Sequence, residues 1–187
     1  MAAKKSSPLK IIPLGGLDGI GKNMTVFECG DDMVLVDAGL MFPDDSQPGI
    51  DLVLPDYTYV LENEEKLRGI VVTHGHEDHT GSLPYLLQDL NNKVPIFSSK
   101  LTLGFIEGKL SEFREVKGGS HVNLGGISLD FFSMTHSIPG ALGVFIRTNQ
   151  GTVMHTGDFK LDQTPIDGVT PDYAAISRFA KQGIDLL

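Results

Sequence analysis

Cysteine is almost missing from the sequence, since Cys29 is the only one among 187 residues. A single cysteine cannot form a disulfide bond within the chain, which fits a protein of a reducing compartment. It also excludes a zinc site built from several cysteines. Any bound metal ion would therefore have to rely on histidine and aspartate side chains.

An excess of positive charge is also missing, because 15 lysine and arginine residues face 24 aspartate and glutamate residues, for a formal net charge of -9. This balance argues against a protein that holds nucleic acid through a broadly basic surface. A local basic groove can still exist within an acidic chain. The net charge alone therefore does not identify the partner.

Long apolar runs are the third absence. No segment approaches the roughly 18 apolar residues that a membrane helix needs. The opening MAAKKSSPLK carries lysines but no apolar segment behind them, so it does not have the pattern of a signal peptide. We therefore predict a cytoplasmic protein with no membrane partner.

The apolar residues that are present follow the patterns of an α/β fold. The segments LKIIPLGG, NMTVFECG and DMVLVDAG alternate strand-like runs with turn residues, and LRGIVVTH has the continuous apolar run of a strand buried on both faces. The spacing of Leu83, Leu86, Leu87 and Leu90 is that of one helix face. The length allows one domain with a real core.

The remaining segments extend this pattern. We predict a second helix in LTLGFIEGKLSEF and further strands in VPIFSS, HVNLGGISLDFFSMTH, ALGVFIRT and GTVMHTGDF. Residues 1–8 are expected to form a disordered tail, and residues 9–187 a single unit. The final residues, 184–187, have the pattern of another buried strand with nothing after it, so we expect an incomplete domain.

Metal-binding side chains are concentrated in VVTHGHEDHTGSLPYLL. There His74, His76, Asp78 and His79 lie within six positions, between a predicted strand and a predicted helix. Open α/β sheets usually keep their sites at the carboxyl ends of their strands. Imidazole and carboxylate groups suit Zn²⁺, and Mn²⁺ where oxygen atoms share the coordination shell. The cluster therefore predicts a metal site at this edge.

The number of ligands indicates two ions, because an open catalytic zinc site usually has three protein ligands. Further ligands are predicted at the ends of two strand-like runs, namely His136 in SMTHSIPG and Asp158 in HTGDFKLD. The carboxylate of Asp158 can bridge both ions. Two ions about 3.5–4 Å apart can generate a hydroxide near neutral pH and hold both oxygens of an in-line displacement. This predicts hydrolysis of a phosphodiester or an acyl bond.

Other interpretations of these residues stay open from the sequence alone. A structural zinc site would close around four ligands. His121 and His155 are interpreted as ordinary histidines, with His155 a candidate for orienting Asp158. Gly16 to Lys22 matches the G-x-x-x-x-G-K of a phosphate-binding loop, but Asn23 replaces the required Ser or Thr, and a strand-like run follows instead of a helix. We interpret this segment as a glycine-rich turn that can border the site.

The motifs together resemble a known family. HGHEDHTG resembles the H-x-H-x-D-H signature of the metallo-β-lactamase fold. With this signature, the segments LGGLDGIGKNM, VDAGLMFP, THGHEDHTGSLPYLL, THSIP and HTGDFKLD resemble bacterial ribonuclease J, of the β-CASP group within that fold. The likeness extends from Leu9 to the end of the chain.

This resemblance implies the N-terminal portion of an αββα sandwich, with residues 9–187 lacking the β-CASP insertion and the C-terminal domain. It implies a Zn- or Mn-dependent enzyme of RNA processing and decay that cleaves RNA as a 5′-to-3′ exonuclease and an endonuclease, by a hydroxide that two ions activate. The implied ligands of the two divalent ions are His74, His76, Asp78, His79, His136 and Asp158. Asp78 and Asp158 also act as catalytic residues, and Asp37 supports the site without binding metal.

The resemblance further implies that RNA is the substrate and that the full-length protein is a homo-oligomer. Another metal-binding histidine is expected beyond Leu187, so this portion alone is expected to be inactive and to bind metal weakly. Two alternatives stay open at this stage. One is a hydrolase of thioesters or lactones on the same fold, and the other is a metal-binding or assembly module without turnover.

Overall fold

A computed structural model describes residues 7–106 and 112–187. The elements form a layer of helices, a six-stranded sheet, a four-stranded sheet and a final helix on the outer side. The predicted tail, residues 1–8, lies outside the described residues except for its last two. Its disorder stays a prediction.

The first sheet has the strand order β1-β2-β3-β4-β5-β6. Its strands are β1 Leu9–Gly15, β2 Met24–Cys29, β3 Asp32–Val36, β4 Leu67–Val71, β5 Pro95–Ser98 and β6 Glu112–Glu115. The first three strands pair antiparallel, and β3 to β6 pair parallel. The carboxyl ends of β3, β4 and β5 therefore meet at one edge of the sheet.

The second sheet is antiparallel throughout and has the order β10-β9-β8-β7. Its strands are β7 His121–Leu124, β8 Ile127–Ser133, β9 Leu142–Arg147 and β10 Thr152–His155. At the β10 edge of this sheet, Met154 donates its backbone N–H to the Leu186 carbonyl at 2.9 Å. The strand predicted at residues 184–187 is therefore present only as a short parallel bridge. Leu186 and Leu187 are largely exposed, in contrast to the burial that the apolar run predicts.

The described residues also form five α-helices and one short 3₁₀ helix, Glu64–Lys66. The bounds of the α-helices are α1 Thr58–Glu62, α2 Glu77–Thr80, α3 Leu83–Asp89, α4 Lys100–Phe105 and α5 Tyr173–Gln182. The predicted leucine face of α3 is confirmed for Leu83 and Leu86, which are buried in the core together with Leu90 just after the helix. Within residues 7–106 and 112–187, no helix combines the length and the apolar character that crossing a membrane requires.

Three apolar cores fill the spaces between the layers, as an αββα sandwich requires. Strand β8 shows how one strand serves two of them, because successive side chains point to opposite faces. Leu129 and Phe131 pack between the two sheets, whereas Phe132 packs with Phe179 of α5 on the outer face. Each fully buried side chain of this kind contributes about 1.5–3 kcal/mol. The predicted fold class is confirmed.

The predicted helix over LTLGFIEGKLSEF is wrong in its last part. The helix α4 ends at Phe105, and Glu112–Glu115 forms the edge strand β6; residues 107–111 lie outside the described part. The strand forms because its backbone pairs in parallel with β5 and because Phe113 packs against the first core. This long-range pairing outweighs the local apolar spacing on which the helix prediction rested.

Candidate metal centre

Three connections deliver the predicted site residues to one edge of the two sheets. The chain leaves β4 through Thr73 and His74 and enters α2, while His136 follows β8 and Asp158 follows β10. The Leu142 N–H donates to the Thr73 carbonyl at 2.9 Å, which joins the two sheets at this edge. His74 is fully buried there.

The structure brings all six predicted ligands together. Two groups of side chains could each hold an ion, because the ligand atoms within each group lie within 4.8 Å of one another. The first group is His74, His76 and His136, and the second is His74, His79 and Asp158. Asp158 reaches both groups, because its Oδ1 lies 3.4 Å from His79 Nε2 and its Oδ2 lies 3.7 Å from His136 Nε2. This is the placement that a bridging carboxylate needs.

Asp78 belongs to the side of the second group. Its Oδ2 lies 3.6 Å from His79 Nε2, the nitrogen that also faces Asp158. Gly39 makes this close packing possible, because a Cβ at that position would lie 1.5 Å from the Asp78 carbonyl oxygen. The loop after β3 therefore presses directly on the start of α2.

The buried carboxylate of Asp37 sets the orientation of two imidazoles. Its Oδ1 accepts the Thr73 backbone N–H at 2.7 Å, and its Oδ2 accepts the Thr73 hydroxyl at 2.9 Å and His79 Nδ1 at 2.8 Å. Since the Thr73 hydroxyl has given its only hydrogen to Asp37, it accepts from His74 Nδ1, 3.0 Å away. Both imidazoles therefore direct an Nδ1 proton at an oxygen and turn Nε2 toward the site, the orientation in which metal-bound histidines are held.

The electrostatics of the site follow from this arrangement. Burial and the nearby His79 lower the pKa of His74 to about 3, which favours a neutral imidazole. Burial alone would lower the pKa of His79, but the carboxylate of Asp37 raises it to about 9. Burial alone would likewise raise the pKa of Asp37, and the adjacent His79 lowers it instead.

The donor set fits a divalent cation. The lone pair of His74 Nε2 points at His76 Nδ1 over 3.0 Å, and the His136 ring lies 4.8 Å from His74 and 5.0 Å from His76 between ring centroids. Several imidazole nitrogens that converge on one small volume, with a carboxylate beside them, match the ligand preferences of Zn²⁺ and Mn²⁺.

The other two histidines do not join either group. His121 lies on β7 and pairs with Asp130 at 2.8 Å. His155 Nδ1 accepts the Gly157 backbone N–H at 3.1 Å, one residue before Asp158, which agrees with its interpretation as an orienting neighbour.

One contact was missed by the sequence reasoning. The side-chain amide of Asn23 lies 3.3 Å from Asp78 Oδ2 and 3.1 Å from His79 Nε2. No local pattern signals it, because Asn23 is 55 residues away from Asp78 in the chain. In the sequence, the only sign of this contact is that Asn23 stands where a phosphate-binding loop would have Ser or Thr.

Comparison with known proteins identifies the family. The sequence profile of the Metallo-beta-lactamase superfamily matches residues 17–179, which include all six predicted ligands. The chain belongs to this superfamily. Membership implies that it binds divalent metal, in agreement with the two groups of ligand atoms. The number and identity of the ions stay predictions.

The resemblance to ribonuclease J is confirmed by similar sequences. The chain is 46% identical to Ribonuclease J of Thermus thermophilus, over 96% of its own length and 34% of that protein. It is 45% identical to Ribonuclease J of Corynebacterium glutamicum, over 96% of its own length and 26% of that protein. The chain therefore spans about a third or less of the length of these curated relatives.

Solved structures support the fold of this superfamily member. The metallo-beta-lactamase fold protein YhfI from Bacillus subtilis superposes with a TM-score of 0.62 at 18% identity, over 84% of this chain and 65% of that one. A protein of unknown function from Enterococcus faecalis gives a TM-score of 0.63 at 18% identity, over 81% and 43% of the two chains. At this level of identity the likeness concerns the fold alone.

Proposed function

We propose that this chain is the metal-binding portion of a ribonuclease that hydrolyses RNA phosphodiester bonds with two divalent ions, Zn²⁺ or Mn²⁺. The observation that most supports it is the position of Asp158. One of its carboxylate oxygens faces His79 of the second ligand group, and the other faces His136 of the first. Such an arrangement suits a pair of ions that act together on one phosphate. The curated relatives named Ribonuclease J supply the substrate class.

The proposed ligands divide between the two ions. His74, His76 and His136 would hold one ion, Asp78 and His79 would hold the other, and Asp158, with one oxygen toward each group, would contribute to both. When bound, the ions supply positive charge that lowers the pKa of water and stabilises the charge that develops on the phosphate. Asp78 and Asp158 orient the attacking water by accepting its hydrogens, and Asp37 keeps the imidazoles of His74 and His79 in the required tautomer.

A cavity next to His136 offers room for part of the substrate. It has a volume of about 230 Å³, and its lining includes His136, Ser137, Ile138 and Lys160. Lys160 is half exposed and lies two residues after Asp158. Its ammonium group is placed to attract a phosphate of the RNA backbone, while its 3.0 Å contact with Asp162 fixes its direction.

The remaining steps of RNA binding are proposed to depend on a longer protein. The chain covers 34% of the length of its Thermus thermophilus relative and carries a net charge of -9, so a basic RNA-binding surface is expected outside residues 9–187. We propose that the whole protein acts in RNA processing and decay as a 5′-to-3′ exonuclease and an endonuclease, as a cytoplasmic homo-oligomer, and that this portion alone is inactive.

The test uses the whole protein with a matched pair of histidine variants. His76→Ala removes a proposed ligand and is expected to lower RNA cleavage by at least about 1,000-fold, because the chemistry depends on the ion. His121→Ala, at the exposed pair on β7, is expected to leave cleavage unchanged. RNA cleavage and bound metal are measured together, by gel assay and by elemental analysis.

Three results would contradict the proposal. The first is intact RNA with cleavage of a thioester or lactone under the same conditions. The second is full metal occupancy without any turnover, which would favour a module for metal binding alone. The third is equal RNA cleavage by wild type and His76→Ala.

A further inference from the structure

The glycine-rich turn at residues 15–23 does not bind phosphate in the manner of a nucleotide-binding loop, because the strand β2 begins at Met24 where a helix would be needed. Instead, the end of this turn lies against the start of α2. The Asn23 backbone N–H donates to the Asp78 carbonyl at 3.0 Å, and the Asn23 carbonyl accepts the Gly39 N–H at 2.9 Å. The turn is thus fixed at the metal edge.

The side chain of Asn23 faces two oxygen acceptors and one ring nitrogen. Its Nδ2 lies 3.1 Å from the Asp78 carbonyl oxygen, 3.3 Å from Asp78 Oδ2 and 3.1 Å from His79 Nε2. The two Asp78 oxygens are acceptors, whereas His79 Nε2 accepts only when it carries no proton. Only the amide nitrogen, and not the amide oxygen, can satisfy these groups, so the orientation of the amide is determined.

Two glycines make room for Asn23, namely Gly16 in the turn and Gly39 after β3. Gly16 has a φ of +80°, and a Cβ there would lie 2.6 Å from Asn23 Oδ1. A Cβ at Gly39 would lie 2.9 Å from the Asn23 backbone nitrogen. In contrast, a Cβ at Gly19 in the same turn would meet nothing within 4 Å. Gly16 and Gly39 are therefore positions where a side chain would displace Asn23.

We propose that Asn23 is a positioning residue for the second ligand group, and this proposal rests on the metal site proposed above. Its amide donates to the Asp78 carbonyl oxygen and to Asp78 Oδ2, which holds Oδ2 on the side of His79 Nε2. An ion on His79 Nε2 would leave both amide hydrogens available for these two oxygens. The loss of such an outer partner typically weakens metal binding by about 10–100-fold.

Two variants of Asn23 separate a positioning role from a purely structural one. Asn23→Ala removes the donors and is expected to weaken binding of one ion by about 10–100-fold. Asn23→Asp keeps the shape but replaces the donating amide by a carboxylate that faces the Asp78 oxygens, so the proposal expects weaker binding here as well. Both losses should vanish when Asp78→Ala is already present, because Asn23 acts through Asp78, whereas a structural defect alone would persist there. Asn123→Ala, exposed on β7, serves as the control and is expected to bind as wild type does.

The experiment is a calorimetric titration of the chain with Zn²⁺, together with a Co²⁺ titration that reports ligand geometry by visible absorption. Circular dichroism at rising temperature shows whether each variant is folded. Weaker binding in both variants, with no further loss when Asn23→Ala is added to Asp78→Ala, supports the proposal. If Asn23→Ala does not fold, Asn23→Asp takes its place in both backgrounds: a loss that disappears in the Asp78→Ala background supports the proposal, and any other result overturns it.

The failure of this proposal can be told from failure of the metal site itself. A wild-type chain that binds neither Zn²⁺ nor Co²⁺ overturns both. Wild-type binding together with an unchanged Asn23→Ala variant, or with a loss that persists in the Asp78→Ala background, overturns the role of Asn23 alone.

Discussion

Two carboxylates in the described part of the chain are almost fully buried, Glu28 at 3% and Asp37 at 2% exposure. They differ in what satisfies them. Glu28 accepts the Tyr59 hydroxyl at 2.6 Å and the ammonium groups of Lys10 at 2.9 Å and Lys66 at 3.3 Å. Lys10 is half exposed, so this network ends at the solvent.

Asp37 has no lysine or arginine among its hydrogen-bond donors in the described residues. It is satisfied by Thr73 and His79, and Thr73 in turn accepts from His74. Each hydrogen given to this network turns the opposite imidazole nitrogen toward the metal site. The comparison shows that a buried carboxylate can either close a structural network, as Glu28 does, or set the chemistry of the groups around it, as Asp37 does.

The largest effect is expected from Asp37→Asn. Asparagine tolerates the positive φ of +61° at this position, so the backbone is retained. The new amide nitrogen takes the place of Oδ2 and donates to His79 Nδ1, which moves the imidazole proton to Nε2 and removes the lone pair needed for metal. We expect Zn²⁺ affinity to fall by about 100-fold, measured by calorimetric titration.

The matched control for this change is Glu28→Gln, which is expected to leave Zn²⁺ affinity at the wild-type value because Glu28 touches none of the predicted ligands in the described residues. Wild-type affinity in Asp37→Asn, or an equal loss in the two variants, would contradict the distinction between the two carboxylates.

The second effect is on stability. Glu28→Gln removes the charge that Lys10 and Lys66 approach, while Gln can still accept from Tyr59. Because hydrogen bonds to charged groups contribute about 1.5–3 kcal/mol, we expect the free energy of unfolding in urea to fall by about 2 kcal/mol. A loss below about 0.5 kcal/mol would show that the network is energetically neutral, as some buried ion pairs are.

A third effect is on pH dependence. Burial alone would raise the pKa of Glu28, but the hydrogen bonds from Tyr59, Lys10 and Lys66 lower it below its ordinary value of 4.5. A carboxylate with a lowered pKa in the folded state stabilises the protein above its unfolded pKa, and this contribution is lost as the pH falls through the folded pKa. The stability difference between wild type and Glu28→Gln should therefore shrink as the pH falls below about 4.5. Urea unfolding across that range measures it, and a constant difference would contradict the assignment.

Much of the fold was predictable because the signals are local. The strand-like runs and the leucine face of α3 depend on neighbouring residues, and the structure confirms them. The edge strand β6 was not predictable, because it depends on pairing with β5 across residues 95–115. The helix α5 was also missed, although Asp172 accepts the Ala175 N–H at 2.9 Å and marks its start as a capping residue.

The same division applies to the candidate site. The cluster His74, His76, Asp78 and His79 is contiguous in sequence, so its chemistry was legible without a structure. The role of Asn23 could not be predicted in this way, since comparison with the phosphate-binding motif shows only that Asn23 replaces the required Ser or Thr. Its contacts with Asp78 and His79 exist because of the turn geometry at the end of β1, which no residue pattern encodes directly.

The smallest effect is expected from Asp130→Asn. This variant compares two histidine–carboxylate pairs that have the same distance but differ in exposure. Asp130 lies 2.8 Å from His121 Nδ1, the same distance as Asp37 from His79, but the His121 side chain is 44% exposed whereas that of His79 is 3% exposed. Asp130 also accepts from Arg147, whose side chain is 36% exposed, so water and salt screen both pairs. Their loss should change the free energy of unfolding by less than about 1 kcal/mol and leave Zn²⁺ affinity unchanged. Urea unfolding and calorimetric titration, run beside Asp37→Asn, measure both quantities. A loss of unfolding free energy in Asp130→Asn as large as that in Asp37→Asn would mean that the histidine–carboxylate distance matters and that burial does not.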